Sequence, residues 1–329
     1  MSDSCCIRYS QFSDAYIGKI ISENYDIANI SSNRFFRLGM NDIYLISAGD
    51  KKYFFRISLA DVYKQEDYEQ EAAAINVFHA HGIGVACPVI CQNGGYVLSL
   101  TAPEGKRYAI LFEEAINNPG SDHIANLYNL GRTAAELHMV SDDCIAAPTR
   151  PPIDLVQLID KPLAFLSEHT PVRPEDYTFI KESEESIAKF INSTLSKQAP
   201  FYGFCHGDLH LSNVFLNGDK PTLFDFDCMG SGWRVHDIAV FLFNQSFSDN
   251  NYRDGDGWKS FLNGYNSIRP LVEAEIKAIP AFCALRSIWV VGVHTDLSHR
   301  NIGCQMFSEG YFNFFINNFK FWYNIFIAQ

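Results

Sequence analysis

The chain has 329 residues, 47% hydrophobic and 19% charged, which excludes a disordered chain and gives enough length for two lobes with separate cores. A formal net charge of −12 excludes the basic footprint of a nucleic-acid binder and leaves room for a cationic small partner. The nine cysteines are odd in number, include no C-x-x-C pair and suit neither zinc nor a disulfide framework, so reduced thiols are expected.

In chain order, residues 35–38, 43–47 and 53–57 carry the aromatic and β-branched side chains of three short strands. Gly49-Asp50-Lys51-Lys52 forms the turn between the second and third. A helix is expected over 62–81, stopped by Gly82 with Pro88 beyond it. Residues 85–90, 95–100 and 108–112 read as further strands, completing a small α+β unit. From residue 122 the pattern turns helical: Ile124, Leu127, Leu130, Ala134 and Leu137 share one face of a helix ending near His138. Pro148, Pro151 and Pro152 punctuate the chain, and helices are expected over 153–168 and 174–197. Two apolar runs, 213–216 and 222–226, then flank Asn217-Gly218, a hairpin signal, and helices fill the remainder. The stretch 279–293 is the most apolar, but Arg286 interrupts it and it is too short to span a bilayer. Phe312, Phe315, Phe319, Trp322 and Phe326 form a stripe opposite a polar face with one lysine, which predicts core or subunit packing rather than a membrane-surface helix. The first residues lack the basic segment and apolar run of a signal peptide, so a cytoplasmic location is expected.

Closing the hairpin brings Asn213 within about a residue of register with Asp225, while Asp208 lies in the polar loop leading into the first strand. A paired amide and carboxylate suit a hard cation such as Mg²⁺, which usually keeps substrate phosphates among its ligands. The nearby carboxylate suits a hydroxyl that must be oriented and deprotonated, so the cluster reads as a phosphoryl-transfer site. His206, two residues before Asp208, is placed to brace the loop through backbone hydrogen bonds.

The string His206-Gly207-Asp208-Leu209-His210-Leu211-Ser212-Asn213 resembles the catalytic loop of the aminoglycoside phosphotransferase and choline kinase family, relatives of the eukaryotic protein kinases. The fuller stretch over 202–239 is similar to bacterial homoserine kinase-like and stress-response kinase-like members. The segments 130–138 and 39–44 extend the likeness, so that it spans most of the chain. It implies an α+β, bilobal, protein-kinase-like fold, with a small antiparallel-sheet lobe over 1–113, a mainly helical lobe over 114–329, and ATP in the cleft. By position, Asp208 would be the catalytic base, and Asn213 and Asp225 would hold Mg²⁺, with Asp227 as an additional contact. His210 stands where protein kinases carry a loop lysine that touches the transferring phosphate, and Asp237 resembles the residue that ties down the catalytic loop.

One departure concerns the strand residue that grips the α- and β-phosphates. It is a lysine in protein kinases and aminoglycoside enzymes, whereas Arg56 stands here. Strand alternation sets Arg56 opposite Phe55 and Ile57, on a face that can look into the cleft. Its carboxylate partner is expected to be Glu71, with Glu69 as the fallback. Gly39 and Asn41 belong to the turn that would cover the phosphates, and the stretch from Phe112 to Ile116, with Glu113 and Ile116 as its binding residues, to the adenine-contacting hinge. The resemblance thus implies an ATP- and Mg²⁺-dependent phosphotransferase acting on a hydroxyl of an aminoglycoside, homoserine or an amino alcohol. Asp249, Asp254, Asp256, Asp296 and Glu309 are offered as carboxylates for a cationic acceptor. Two alternatives remain: a stress-response protein serine/threonine kinase, and a non-catalytic pseudokinase suggested by Arg56 and the single-glycine turn. No nucleic-acid or membrane partner is expected, and the chain would act as a monomer or homodimer.

Overall fold

The computed structural model describes residues 6–120, 122–169, 173–247, 251–301 and 308–329. Its first part is a five-stranded antiparallel sheet in the order β1-β2-β3-β5-β4. The strands are β1 (Ile30–Leu38), β2 (Asn41–Ala48), β3 (Lys51–Ser58), β4 (Val97–Ala102) and β5 (Gly105–Glu113). The β2–β3 turn closes on Gly49, whose φ of 58° is the left-handed conformation that glycine adopts without strain. Helix α1 (Asp14–Asn24), which precedes the strands, had no counterpart in the expected elements. It is capped by Ser13 and lays Ile17 and Ile21 on Tyr44, Ile46, Phe55 and Ile57 of the sheet. Helix α2 (Gln65–Ala80) falls where a helix is expected over 62–81, and its Tyr68 packs on Val97 and Ile110.

Residues 85–90 do not form the expected strand. Ala86 donates to Leu223 and Val89 donates to Leu111, so the segment divides its hydrogen bonds between two sheets and completes a ladder with neither. Gly84 makes the crossing possible, because a Cβ there would lie 2.1 Å from the Pro221 carbonyl oxygen.

The second part is mainly helical. A short strand β6 (Asn118–Pro119) leads to α3 (His123–Cys144), longer than expected, and then to α4 (Lys161–His169) and α5 (Pro174–Thr194). The expected helix over 153–168 opens instead as a π-helical turn, Val156–Asp160, because Pro162 has no N–H to continue an ordinary first turn. Strands β7 (Tyr202–Cys205), β8 (Val214–Gly218), β9 (Lys220–Leu223) and β10 (Gly230–Trp233) come next. They are followed by α6 (Val235–Ser246), α7 (Asp256–Asn266), α8 (Glu273–Arg300) and α9 (Glu309–Ile327). Among the described helices, α8 alone has the length and apolarity to cross a membrane, yet 72% of its most apolar window is buried inside the protein. The α9 stripe packs as expected, with Phe312, Phe315, Phe319 and Trp322 buried in the main core and Phe326 packed against it.

Helices α3 and α7 meet at two glycines. A Cβ on Gly131 would stand 1.9 Å from the Phe261 carbonyl oxygen, and one on Gly264 would stand 1.9 Å from that of Tyr128. Both contacts are with backbone, which cannot swing aside, so Gly264→Ala should cost about 1–3 kcal/mol of stability, the usual cost of overpacking, and lower the urea midpoint accordingly. An unchanged midpoint would show that the helices can part freely.

Candidate active site

The site begins with the β8–β9 hairpin. Val214 pairs with Leu223, and the next backbone bond runs from the Phe224 N–H to the Asn213 carbonyl at 3.0 Å. Asn213 therefore lies one residue from register with Asp225, as the apolar runs predict. Asp225 takes φ 64° and ψ 61°, a left-handed turn uncommon for a non-glycine residue, which sends the chain toward β10.

The loop from His206 to Asn213 hangs on Asp237. One carboxylate oxygen accepts the His206 N–H and the other the Gly207 N–H, both at 2.8 Å. His138 donates through Nε2 to Asp237 at 2.9 Å and accepts the Tyr265 hydroxyl at Nδ1 at 2.8 Å. His206 braces the loop from within: its Nε2 donates to the Phe224 carbonyl and its Nδ1 accepts the Asp208 N–H. Asp208 is engaged through both oxygens. Oδ1 accepts from Arg286, and Oδ2 accepts from Asn213 Nδ2 at 3.0 Å and from His210 Nε2 at 3.3 Å. Burial alone would raise this carboxyl, but Arg286 and His210 together hold it well below the usual carboxylate range. Arg286 also lies 4.0 Å from the centre of the Trp289 ring.

Across the cleft, Arg56 Nη2 lies 2.7 Å from both oxygens of Glu71, while its Nη1 reaches Asp225 at 3.4 Å. Glu71 is the partner; Glu69 is exposed and accepts from Gln65 on the outer face of α2. A third group, absent from the expected site residues, completes this arrangement. Arg150 donates to Glu71 at 2.8 Å and to the carbonyls of Phe226 and Asp227 at 3.0 and 2.7 Å. Arg286 was likewise unassigned, although its position as a lone charge within an apolar helix was a signal.

Asp227 accepts from Asn41 Nδ2 at 3.0 Å, so the covering turn touches the acidic pair. Its other oxygen, Oδ1, is buried without a hydrogen bond, and the nearest guanidinium nitrogen is 4.0 Å away. The Asp225 side chain keeps 45% of its surface open to the cleft, yet partial desolvation among the surrounding protein atoms, with Asp227 and Asp208 nearby, pushes its carboxyl up to about 6 despite Arg56. Asn213 spends its Nδ2 on Asp208, which leaves Oδ1 to face a ligand. An orphaned carboxylate oxygen, a carboxyl short of positive charge and an amide oxygen together fit a divalent cation.

A cavity of about 240 Å³ adjoins this cluster, walled by Phe36, Phe54, Phe112 and Phe224 and ending at Arg56, Asn213 and Asp225. Glu113 lines it as expected. Ile116 does not: it is 60% exposed past the end of β5, and Ala115 takes its place. Gly39 lies in the covering turn, but its N–H is spent on the Asn41 carbonyl and its own carbonyl accepts from Asn301. Of the acidic residues offered for a cationic acceptor, Asp296 lines a second cavity, whereas Asp254, Asp256 and Glu309 are exposed elsewhere and Asp249 lies outside the described residues.

A profile of the phosphotransferase enzyme family matches residues 36–271. An uncharacterized protein of Synechocystis is 33% identical over 88% of this chain and 80% of its own length. The amicoumacin kinase of Bacillus subtilis is 26% identical over 79% of each. Among solved structures, an amicoumacin kinase in complex with AMP-PNP, Ca²⁺ and Ami superposes with a TM-score of 0.78 at 19% identity, covering 99% of this chain and 96% of that one.

The buried histidines make the site sensitive to acid. Burial pushes His138 and His236 down to about 4 and lowers His206 as well. Below pH 6.5 the unfolded chain therefore binds protons that the folded one refuses, and stability falls as pH drops toward 4. Each such histidine contributes up to about 1.4 kcal/mol per pH unit in that window. Asp225 and Glu184, whose carboxyls are raised to about 6 and about 7, act the other way as pH falls, two groups against the four lowered histidines once His294 is included. The melting temperature should be lower at pH 5.5 than at pH 7.5; an equal or higher value would mean these histidines are not held neutral.

Proposed function

The chain belongs to the phosphotransferase enzyme family, and on that premise we propose that it transfers the γ-phosphate of ATP to a hydroxyl of a small molecule with the help of Mg²⁺. One observation carries the reading: Asp208, Asn213 and Asp225 converge at the charged end of an apolar slot whose opposite wall presents Arg56 braced by Glu71. Adenine suits the aromatic end, leaving the phosphates at the guanidinium. Asn213, Asp225 and Asp227 would hold the cation, which when bound neutralises charge on the phosphates.

In this reading Asp208 accepts a hydrogen bond from the acceptor hydroxyl and aims its oxygen at the γ-phosphorus. As the new O–P bond forms, the bond from phosphorus to the β–γ bridging oxygen breaks, ADP departs, and the hydroxyl proton passes to Asp208. His210 and Asn213 fix the Asp208 oxygen that they share. Arg56 takes the part of the usual lysine, with Nη1 left for phosphate after Nη2 has engaged Glu71. That pairing speaks against a pseudokinase, since a pure binding module has no use for a braced cation beside two acidic groups.

Asp208→Asn should keep nucleotide binding and lower kcat by about 10²–10⁴-fold, the span for losing a general base. Near-normal turnover in a coupled ADP-release assay would remove that role. Arg56→Ala should raise the KM for ATP and lower kcat, with Arg56→Lys recovering only part, because an ammonium is a point charge on a differently shaped stem in a site built around the guanidinium fork. Wild-type kinetics for Arg56→Ala would leave Arg56 without a part in catalysis.

A further inference from the structure

The second cavity meets the reacting centre at Gly207, Asp227 and Cys228, and at about 580 Å³ it is more than twice the volume of the nucleotide-side slot. Clefts of about 300–1,000 Å³ hold drug-sized ligands. A short amino acid or amino alcohol would leave most of this one filled with water. One face of α8 builds the far wall, where Trp289, Val293 and Leu297 recur at helical spacing. Gly292 lets Pro162 approach so closely that a Cβ would lie 2.5 Å from it, which seats α4 and its Phe165 against the same space.

The charged groups around this space are largely committed. Asp296 accepts from Arg300 at 2.9 Å, and of the two Asp227 oxygens one accepts from Asn41 while the other is the one assigned above to the cation. Lys161 adds a positive charge at the rim, and Asp61 is an exposed carboxylate there. A polycationic sugar needs several free carboxylates, and the described lining does not supply them. The apolar wall is also joined to the base. The Trp289 ring that faces the cavity lies against the Arg286 guanidinium, which donates to Asp208.

We infer that the acceptor is an alcohol with a bulky apolar or aromatic body, larger than homoserine or a short amino alcohol and unlike a polycationic sugar. This rests on the phosphotransferase reading, which supplies the donor and the base. The apolar body packs between α4 and α8 while the hydroxyl reaches past Gly207 to Asp208.

The test uses the full chain with a graded series of 2-amino alcohols: alaninol, leucinol, phenylalaninol and tryptophanol. Homoserine, choline and kanamycin serve as polar comparators. Binding is measured by calorimetry with AMP-PNP and Mg²⁺, and transfer by ADP release with ATP. Affinity should rise about three- to fourfold for each methylene-equivalent of apolar body, up to the volume of the cavity. Val293→Phe, which narrows the cavity, should flatten that rise. A flat series in the wild-type chain, tightest binding by any polar comparator, or no binding by any aromatic member would overturn the inference. Size-ranked binding without phosphate transfer, and with ATP turnover indifferent to Asp208→Asn, would support the apolar pocket while removing the kinase reading.

Discussion

The cleft is organised around a carboxylate that has been taken entirely out of water, that of Glu71 in the middle of α2. An isolated charge there would be prohibitively costly, so the site requires cations, and two guanidiniums supply them. Arg56 comes from β3 and Arg150 from the segment after α3, so strand, helix and helical lobe share one anion. Arg150 also holds the Phe226 and Asp227 carbonyls, which passes the constraint to the left-handed turn that presents Asp225. A buried ion cluster of this kind adds little net stability over a well-packed apolar one. Its consequence is positional: removing one partner strands a charge, so α2, β3 and the acidic turn have a single arrangement. An arginine at position 56 suits that role. Nη2 satisfies Glu71, the ring of Phe112 lies 5.0 Å beneath, and Nη1 still looks into the cleft.

The opposite wall follows the same logic with a different charge balance. Asp237 is fully buried and is answered by two backbone N–H groups and a neutral histidine. That histidine is fixed by Tyr265, which accepts from Arg269, which in turn donates to Glu275 at the start of α8. The loop carrying Asp208 is therefore hung from α3, α6, α7 and α8 by directional bonds, none of which faces solvent. The tight α3–α7 crossing brings His138 and Tyr265 to the hydrogen-bonding distance that this chain of contacts needs.

The sequence made the catalytic loop and the hairpin legible because both are local. Asp208, Asn213 and Asp225 lie within 18 positions, and a turn signal with two apolar runs determines their register. Glu71 and Arg56 could be anticipated from the family resemblance, with strand alternation setting only the face that Arg56 takes. Arg150 could not, because it meets Glu71 79 positions away and a lone arginine has no periodicity; Arg286 is marked as a lone charge in an apolar helix, but nothing local names Asp208, 78 positions away, as its partner. The segment 85–90 read as a strand because its composition is that of one; that its bonds are divided between two sheets is a tertiary fact. Helix α1 was overlooked despite a Ser13 cap and apolar residues at Ile17 and Ile21, a signal shorter than the runs that compete with it. Ile116 failed for another reason. A hinge is placed by where β5 ends, and element ends are the part of a pattern that sequence resolves least.

Two neighbouring carboxyls illustrate how the environment, more than residue type, assigns chemistry. Asp225 opens onto the cleft but is partly desolvated and crowded by Asp227 and Asp208, so its proton affinity rises and it favours a cation. Asp208 is also withdrawn, but Arg286 and His210 reverse the sign and keep it an anion at any physiological pH. In the proposed transfer, a base so weak cannot strip an alcohol before the phosphoryl group moves. In a loose transition state it need not, since the hydroxyl becomes acidic only as its oxygen bonds to phosphorus. Until that moment Asp208 would contribute direction, and the bonds that lower its basicity are the same ones that would aim it. Arg286 thus exchanges base strength for placement, which is the favourable exchange when the nucleophile must be aligned within a few tenths of an ångström of its line of attack.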